Sequence, residues 1–133
     1  MEDAVYKEFI LDLYRRPRNK GVLSAYDVAK REFNPSCGDH ITVYVKFGGD
    51  GTIEDISHDG QGCAISTASA SLLTDFVKGK TLDEVKKLNR EDVFSIIGVP
   101  LSPARVKCAL LALKIIKGAV YAHLGEKLAK EEG

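Results

Sequence analysis

Residues 34–47 read NPSCGDHITVYVKF, a polar turn followed by a run in which apolar and polar side chains alternate. The apolar residues of the run fall on every second position, the period of a β-strand with one buried face. The turn before the strand places a thiol, Cys37, two residues from a carboxylate, Asp39. Pro35 and Gly38 are residue types that favour a tight turn. A soft sulfur and a hard oxygen therefore share one turn, which indicates a binding site.

The residues around this strand predict a small antiparallel sheet. The glycine-rich segment 48–51 is typical of a hairpin turn, and a return strand is expected over residues 52–58. Ile53 and Ile56 are three apart, which suggests a bulge or a register change in that pair of strands. A weaker extended pattern over residues 27–33 predicts a third strand.

Helical patterns flank the sheet. We expect a helix before Pro17, and a second over residues 64–78 with one face formed by Ile65, Ala68, Leu72 and Phe76. The segment 60–63 before it reads as a glycine-rich turn. Two short helices follow, each opened by an N-cap pattern, Thr81 with Glu84 and Asn89 with Asp92.

The last helix is predicted to be the central buried one. Ser102 and Pro103 have the chemistry of its start, and it should reach at least Leu124. The sequence therefore predicts an α+β fold of about three antiparallel strands with helices packed mainly on one face. The chain has 133 residues, and we expect residues 1–133 to form a single domain.

Composition excludes several function classes. Lys and Arg together number 19, as do Asp and Glu, and no basic stripe stands out, which argues against nucleic acid as a partner. The longest apolar run, residues 108–113, is too short to cross a membrane, and the N-terminus lacks the pattern of a secretory signal. We therefore expect a cytoplasmic protein with reduced cysteines.

The three cysteines, Cys37, Cys63 and Cys108, each have two interpretations. Cys63 at a helix start would be stabilised as a thiolate, or it fills a tight turn. Cys108 on an apolar helix face is either a ligand or a buried, inert thiol. Cys37 is the best isolated candidate, and its alternative is an incidental surface thiol.

The cysteine spacing matches no zinc finger and no ferredoxin, so a shared site must be assembled by the fold. Three thiolates and the Asp39 carboxylate would make a complete tetrahedral ligand set. A hard carboxylate in place of a fourth thiolate would weaken the grip on thiophilic iron, which suits a site that releases what it holds.

Four segments together resemble the IscU/SufU/NifU N-terminal family of iron–sulfur cluster assembly scaffolds: residues 17–21, 34–39, 60–71 and 103–108. The resemblance covers nearly the whole chain. It implies the α+β fold of that family and a scaffold that accepts sulfur from a cysteine desulfurase, builds a transient [2Fe-2S] cluster and passes it to acceptor proteins. The alternative within the family is a zinc-dependent sulfur acceptor, a sulfurtransferase relay for the desulfurase.

The resemblance also implies the site residues. Cys37, Asp39, Cys63 and Cys108 would hold the cluster, its iron or, in the same pocket, zinc, and Cys108 is the candidate sulfur acceptor. Scaffold or carrier is the expected role rather than enzyme, with sulfurtransferase activity as the alternative. The chain is expected to act as a monomer or as a homo-oligomer linked by the cluster.

The chain departs from each branch of the family. The IscU branch has a histidine just before the third cysteine, within a Leu-Pro-Pro-Val-Lys motif that binds a specialised Hsp70 chaperone. This chain has Lys107 at that position and a different preceding segment, which argues against that chaperone as a partner. Lys107 is either a cation that stabilises a thiolate or persulfide, or a solvated lysine. The SufU branch typically has an insertion between Cys63 and Cys108 that is not found here.

Overall fold

The computed structural model describes residues 2–34 and 38–125, with side chains from residue 8 onward. The elements follow one another as three strands after a first helix, and then four helices. Their bounds are α1 Glu2–Arg15, β1 Val28–Asn34, β2 Asp39–Phe47, β3 Ile53–Gln61, α2 Ala64–Val77, α3 Leu82–Lys86, α4 Arg90–Ile97 and α5 Pro103–Leu124.

The sheet is antiparallel in the order β1-β2-β3, with β2 at its centre. Alternate residues of β2, from Asp39 to Phe47, are buried, as the period of two predicts. The pairing of β2 with β3 shifts register between Lys46 and Phe47, which confirms the predicted irregularity. The strand predicted over residues 27–33 is confirmed as β1, which begins and ends one residue later than expected.

The segment around Gly60 corrects one prediction. We expected a turn over residues 60–63, but β3 continues to Gln61, and Gly60 pairs with Ile41. Gly60 has a φ of +132°, and a Cβ atom at this position would lie 2.2 Å from the carbonyl oxygen of His40. Only glycine allows the two backbones to approach this closely, so the glycine extends the strand instead of ending it.

The helices cover the inner face of the sheet. The predicted central helix is confirmed as α5, which packs against β1, β2 and α2 and buries ten of its residues, among them Leu111, Ile115 and Ile116. Helix α2 packs against β3, and α1 packs against α2. The α+β fold class is therefore confirmed, and β2, α2 and α5 contribute most of the core.

The short helices begin as the sequence predicts. Thr81 and Glu84 form a reciprocal capping box at α3, and Asn89 and Asp92 form another at α4. Ser102 is the N-cap of α5, but its side chain makes no capping hydrogen bond, and Pro103 supplies the first helical residue. These local signals place three helix starts correctly.

The buried face of α2 differs from the prediction. Ile65 is only partly buried and Phe76 is 40% exposed, whereas the hydroxyl residues Ser66, Ser69 and Thr74 are fully buried. Burial of these residues is tolerated because their hydroxyls are hydrogen-bonded; for example, Ser69 donates to the carbonyl oxygen of Ala109 at 2.6 Å. The predicted face is therefore right for Ala68 and Leu72, which are buried, and wrong for Ile65 and Phe76, because polar side chains share the helix face that packs inward.

The loop before β1 is attached to this polar face. The backbone N–H of Arg18 donates to Ser71 Oγ at 3.1 Å, and the side-chain amide of Asn19 donates to Thr74 Oγ1 at 3.0 Å. The same loop runs beside β3, where His58 exchanges backbone hydrogen bonds with Asn19 and Gly21. The segment 17–21 thus links α2 to the sheet.

Within residues 2–34 and 38–125, no helix is both long enough and apolar enough to cross a bilayer.

Candidate metal centre

Three side chains with metal-ligand chemistry meet at one end of the sheet. A carboxylate oxygen of Asp39 and the Sγ atoms of Cys63 and Cys108 all lie within 4.8 Å of one another. Asp39 is 4% exposed and Cys108 is 2% exposed, while Cys63 is partly buried. The fold therefore brings together three of the four predicted ligands, although their sequence spacing matches neither a zinc finger nor a ferredoxin.

Each ligand is positioned by a different element. Asp39 is the first residue of β2 and pairs with Asn34 at the end of β1. Cys63 is the N-cap of α2, and Cys108 lies in the second turn of α5. Because β2, α2 and α5 form the core, the three groups are held by packed secondary structure rather than by long loops.

The carboxylate of Asp39 is held on both oxygens. The backbone N–H of Cys63 donates to Oδ1 at 3.1 Å, and the hydroxyl of Ser66 donates to Oδ2. The carboxylate therefore lies at the N-terminus of α2, where the helix dipole stabilises negative charge. These two hydrogen bonds offset part of the cost of burying a carboxylate at this position.

The thiol of Cys63 caps α2. Its Sγ accepts a hydrogen bond from the backbone N–H of Ser66 at 3.4 Å and lies 3.6 Å from the Ser66 hydroxyl. Its position at the helix start confirms the placement predicted from the sequence. Cys108 points inward from α5, with its Sγ 4.0 Å from the carbonyl oxygen of Ala104.

A cation that we did not predict as a site residue lies against the two thiols. The charge of the Cys63 side chain, followed by the interaction with the Cys108 side chain, raises the pKa of Arg105, so its guanidinium lies near both sulfurs. Arg105 is one turn before Cys108 on α5, so the helical period was a signal that the sequence offered. Lys107, the predicted modulating cation, is exposed, and its proposed role remains a prediction.

Cys37, the fourth predicted ligand, lies outside the described residues. None of the three histidines, all of which lie in the described residues, belongs to this cluster. His58 is buried with Nε2 2.8 Å from the carbonyl oxygen of Arg18, and the His123 ring stacks on Phe47 at 3.8 Å. His40 is partly buried on β2.

The donor set of the described residues fits a thiophilic metal. Two thiolates and one carboxylate are ligands that zinc and iron accept, and both metals favour a tetrahedral site with four such groups. Three protein ligands leave at least one coordination position for a further cysteine or for an incoming sulfur. This arrangement is suited to binding and exchange as well as to a structural role.

Comparison with known proteins identifies the family of this chain. The NifU-like N terminal domain family matches residues 5–130. The chain belongs to this family.

Two relatives in this family carry different names. The zinc-dependent sulfurtransferase SufU of Bacillus subtilis (strain 168) is 36% identical, with 98% of this chain and 94% of that protein covered. The iron–sulfur cluster assembly scaffold protein IscU of Escherichia coli (strain K12) is 34% identical, with 94% of this chain and 98% of that protein covered.

The two alignments differ in length. The B. subtilis alignment runs over 148 positions, more than the 133 residues of this chain, whereas the E. coli alignment runs over 128. The B. subtilis protein therefore has residues with no counterpart here, and this chain is closer in length to the E. coli scaffold.

Solved structures share the fold. A protein from Fervidobacterium islandicum AW-1, named as a putative iron–sulfur cluster assembly scaffold protein for the SUF system, superposes with a TM-score of 0.74 at 32% identity, covering 85% of this chain and 94% of that one. The N-terminal part of a NifU-like protein from Brucella abortus superposes with a TM-score of 0.75, covering 94% and 98%, and at 23% identity it supports the fold alone.

Proposed function

We propose that this protein is an iron–sulfur cluster assembly scaffold. In this proposal it accepts sulfur from a cysteine desulfurase, assembles a transient [2Fe-2S] cluster and passes the cluster to acceptor proteins. The observation that carries the proposal is the meeting of Asp39, Cys63 and Cys108 within 4.8 Å. Family membership and the scaffold name of the E. coli relative support it.

Cys37 completes the proposed ligand set. Only Gly38 separates it in sequence from Asp39, and Gly38 has a φ of +74°, a conformation that glycine adopts readily. Three thiolates with one carboxylate would bind the cluster less tightly than four thiolates, because thiophilic iron prefers sulfur. Asp39 would thereby make the cluster transferable.

Sulfur would arrive by thiol exchange. A site thiolate, with Cys108 as the candidate, attacks the terminal sulfur of the persulfide on the desulfurase cysteine. The donor S–S bond breaks, the desulfurase cysteine leaves as a thiolate, and a new S–S bond forms on this protein. Converting two such sulfurs and two ferrous ions into a cluster of two ferric ions and two sulfides requires two electrons from an external thiol or one-electron carrier.

A second candidate function is the zinc-dependent sulfur relay. The name of the B. subtilis relative favours it, as does Arg105, whose guanidinium would stabilise an anionic persulfide on Cys63 or Cys108. Asp39, Cys63 and Cys108 would hold the zinc, which when bound would organise the thiolates for exchange.

The proposal includes partners and location. We expect a cysteine desulfurase and apo-proteins that take up clusters as partners, in the cytoplasm, where thiols stay reduced. The formal net charge of zero argues against nucleic acid. The protein is expected to be a monomer or a homo-oligomer linked by a cluster.

Anaerobic reconstitution tests the proposal. The purified protein is incubated with ferrous iron, cysteine, a thiol reductant and a cysteine desulfurase. We expect charge-transfer absorption and about two irons and two sulfides for each cluster. Cys63→Ser and Cys108→Ser should abolish the absorption while far-UV circular dichroism stays unchanged. Retained zinc with no cluster, together with faster desulfurase turnover, would instead support the relay.

A further inference from the structure

We propose that Ser66 is a positioning residue that fixes Asp39 as a metal ligand. This inference rests on the proposed function, because it concerns the same site. Ser66 lies in the first turn of α2 and is fully buried. Its hydroxyl donates to Oδ2 of Asp39, 27 residues away in sequence. A buried serine with its hydroxyl directed at a candidate ligand differs from a surface serine that serves only the helix.

Ser66 and Cys63 together define the orientation of the carboxylate. The Cys63 backbone N–H binds Oδ1 at 3.1 Å while Ser66 binds Oδ2, so neither oxygen rotates freely. Each carboxylate oxygen has two lone pairs, so one hydrogen bond to an oxygen does not by itself prevent that oxygen from binding a metal. Hydrogen bonds of this kind orient ligands, and their loss typically weakens metal binding.

Ser66 contacts a second ligand as well. Its backbone N–H donates to Cys63 Sγ at 3.4 Å, and its hydroxyl oxygen lies 3.6 Å from the same sulfur. The backbone contact survives any side-chain change at this position. Ser66→Ala therefore removes the hydroxyl's bond to Asp39 and its contact with the sulfur, while it keeps the backbone N-cap contact of Cys63.

Gly62 leaves room for this arrangement. A Cβ atom at residue 62 would lie 2.9 Å from Ser66 Cβ and 3.6 Å from Asp39 Cγ. The glycine thus allows Ser66 and the Asp39 carboxylate to approach each other beside Cys63. The sequence motif GQGC at residues 60–63 has one glycine for the sheet and one for this contact.

Zinc affinity measured by chelator competition on the full-length, reduced protein tests the inference. Ser66→Ala should weaken zinc binding by about tenfold, the lower end of the range for losing such a hydrogen bond. In an Asp39→Ala background the same change should have no further effect, because the group that Ser66 orients is gone. An equal loss in both backgrounds would overturn the inference, as would unchanged affinity in Ser66→Ala.

Two further variants separate positioning from folding. Ser69→Ala removes a hydroxyl from the same helix that is also fully buried and that donates to the carbonyl oxygen of Ala109 rather than to Asp39, so it should leave zinc affinity unchanged. Ser66→Thr retains a hydroxyl and should bind zinc severalfold more tightly than Ser66→Ala; equal weakness in both would contradict the inference. Failure of the unmodified protein to bind zinc or iron would refute the proposed function itself, a result distinct from either outcome for Ser66.

Discussion

The backbone N–H of Cys63 donates to Oδ1 of Asp39 at 3.1 Å, which joins the start of α2 to the start of β2. Two candidate ligands that are 24 residues apart are thereby held together by the protein's own hydrogen bond. The site is therefore formed by the fold. Substitution of residue 39 tests what the carboxylate contributes to metal or cluster binding.

Replacing Asp39 with cysteine should lengthen the lifetime of a bound cluster. The change exchanges a hard oxygen ligand for a fourth thiolate, which thiophilic iron prefers. Transfer of the cluster to an apo-acceptor or to a chelator, followed by the decay of visible absorption, should slow at least severalfold. Asp59→Cys, a change on β3 outside the ligand cluster, is the matched control. Faster transfer from Asp39→Cys would show that the carboxylate does not make the site labile.

Removing the guanidinium of Arg105 should slow persulfide transfer to this protein. The residue is exposed, so its contribution falls in the range of a solvated charge pair, and we expect a roughly two- to fivefold lower rate in Arg105→Ala. Persulfide on this protein, measured after incubation with desulfurase and cysteine, gives the rate. Lys107→Ala is the matched control because Lys107 is exposed on the same helix. An equal or larger effect of Lys107→Ala would show that Lys107, the cation predicted from the sequence, has the modulating role instead of Arg105.

The sequence predicted elements whose determinants are local. The capping boxes at Thr81 and Asn89 lie within four residues of chain, and the alternation in β2 depends only on neighbours along the strand. The buried face of α2 depends instead on distant groups, such as Ala109, which accepts the hydroxyl hydrogen of Ser69. Apolar periodicity cannot identify a polar face whose hydrogen-bond partners come from other elements.

The residues of the site also differ in whether local sequence or distant partners determine their position. The cysteines and Asp39 were recognised from motifs, but spacing alone did not show that their side chains meet. Arg105 was missed because it reads as one of several cations on α5, and only the packing of α5 against α2 shows that it faces Cys63. Ser66 was missed for a similar reason, since its partner Asp39 lies on β2.

Replacing Gly60 with alanine should destabilise the sheet strongly. A Cβ atom there would lie 2.2 Å from the His40 carbonyl oxygen, and the φ of +132° is unfavourable for alanine. We expect a loss of at least about 2 kcal/mol in the free energy of unfolding, measured with urea. Gly49→Ala is the control, because an added Cβ meets nothing within 4 Å there. Similar stabilities of the two variants would show that β2 and β3 do not approach as closely as described.

Stability should fall in weak acid because of His58. Burial lowers the pKa of His58 below 6.5, and the hydrogen bond to the Arg18 carbonyl opposes this shift only partly. The unfolded chain takes up a proton near pH 6.5 while the folded protein resists it, so this stabilising contribution is complete above pH 6.5 and is lost as the pH falls through the lowered pKa. The loss is at most about 1.4 kcal/mol per pH unit.

Urea unfolding of the metal-free, reduced protein at pH 7.5 and 5.5 measures this loss of stability. His58→Gln should lose less stability than the unmodified protein between these two pH values. Equal losses in the two proteins would show that the His58 ring takes up its proton as readily in the folded state as in the unfolded chain.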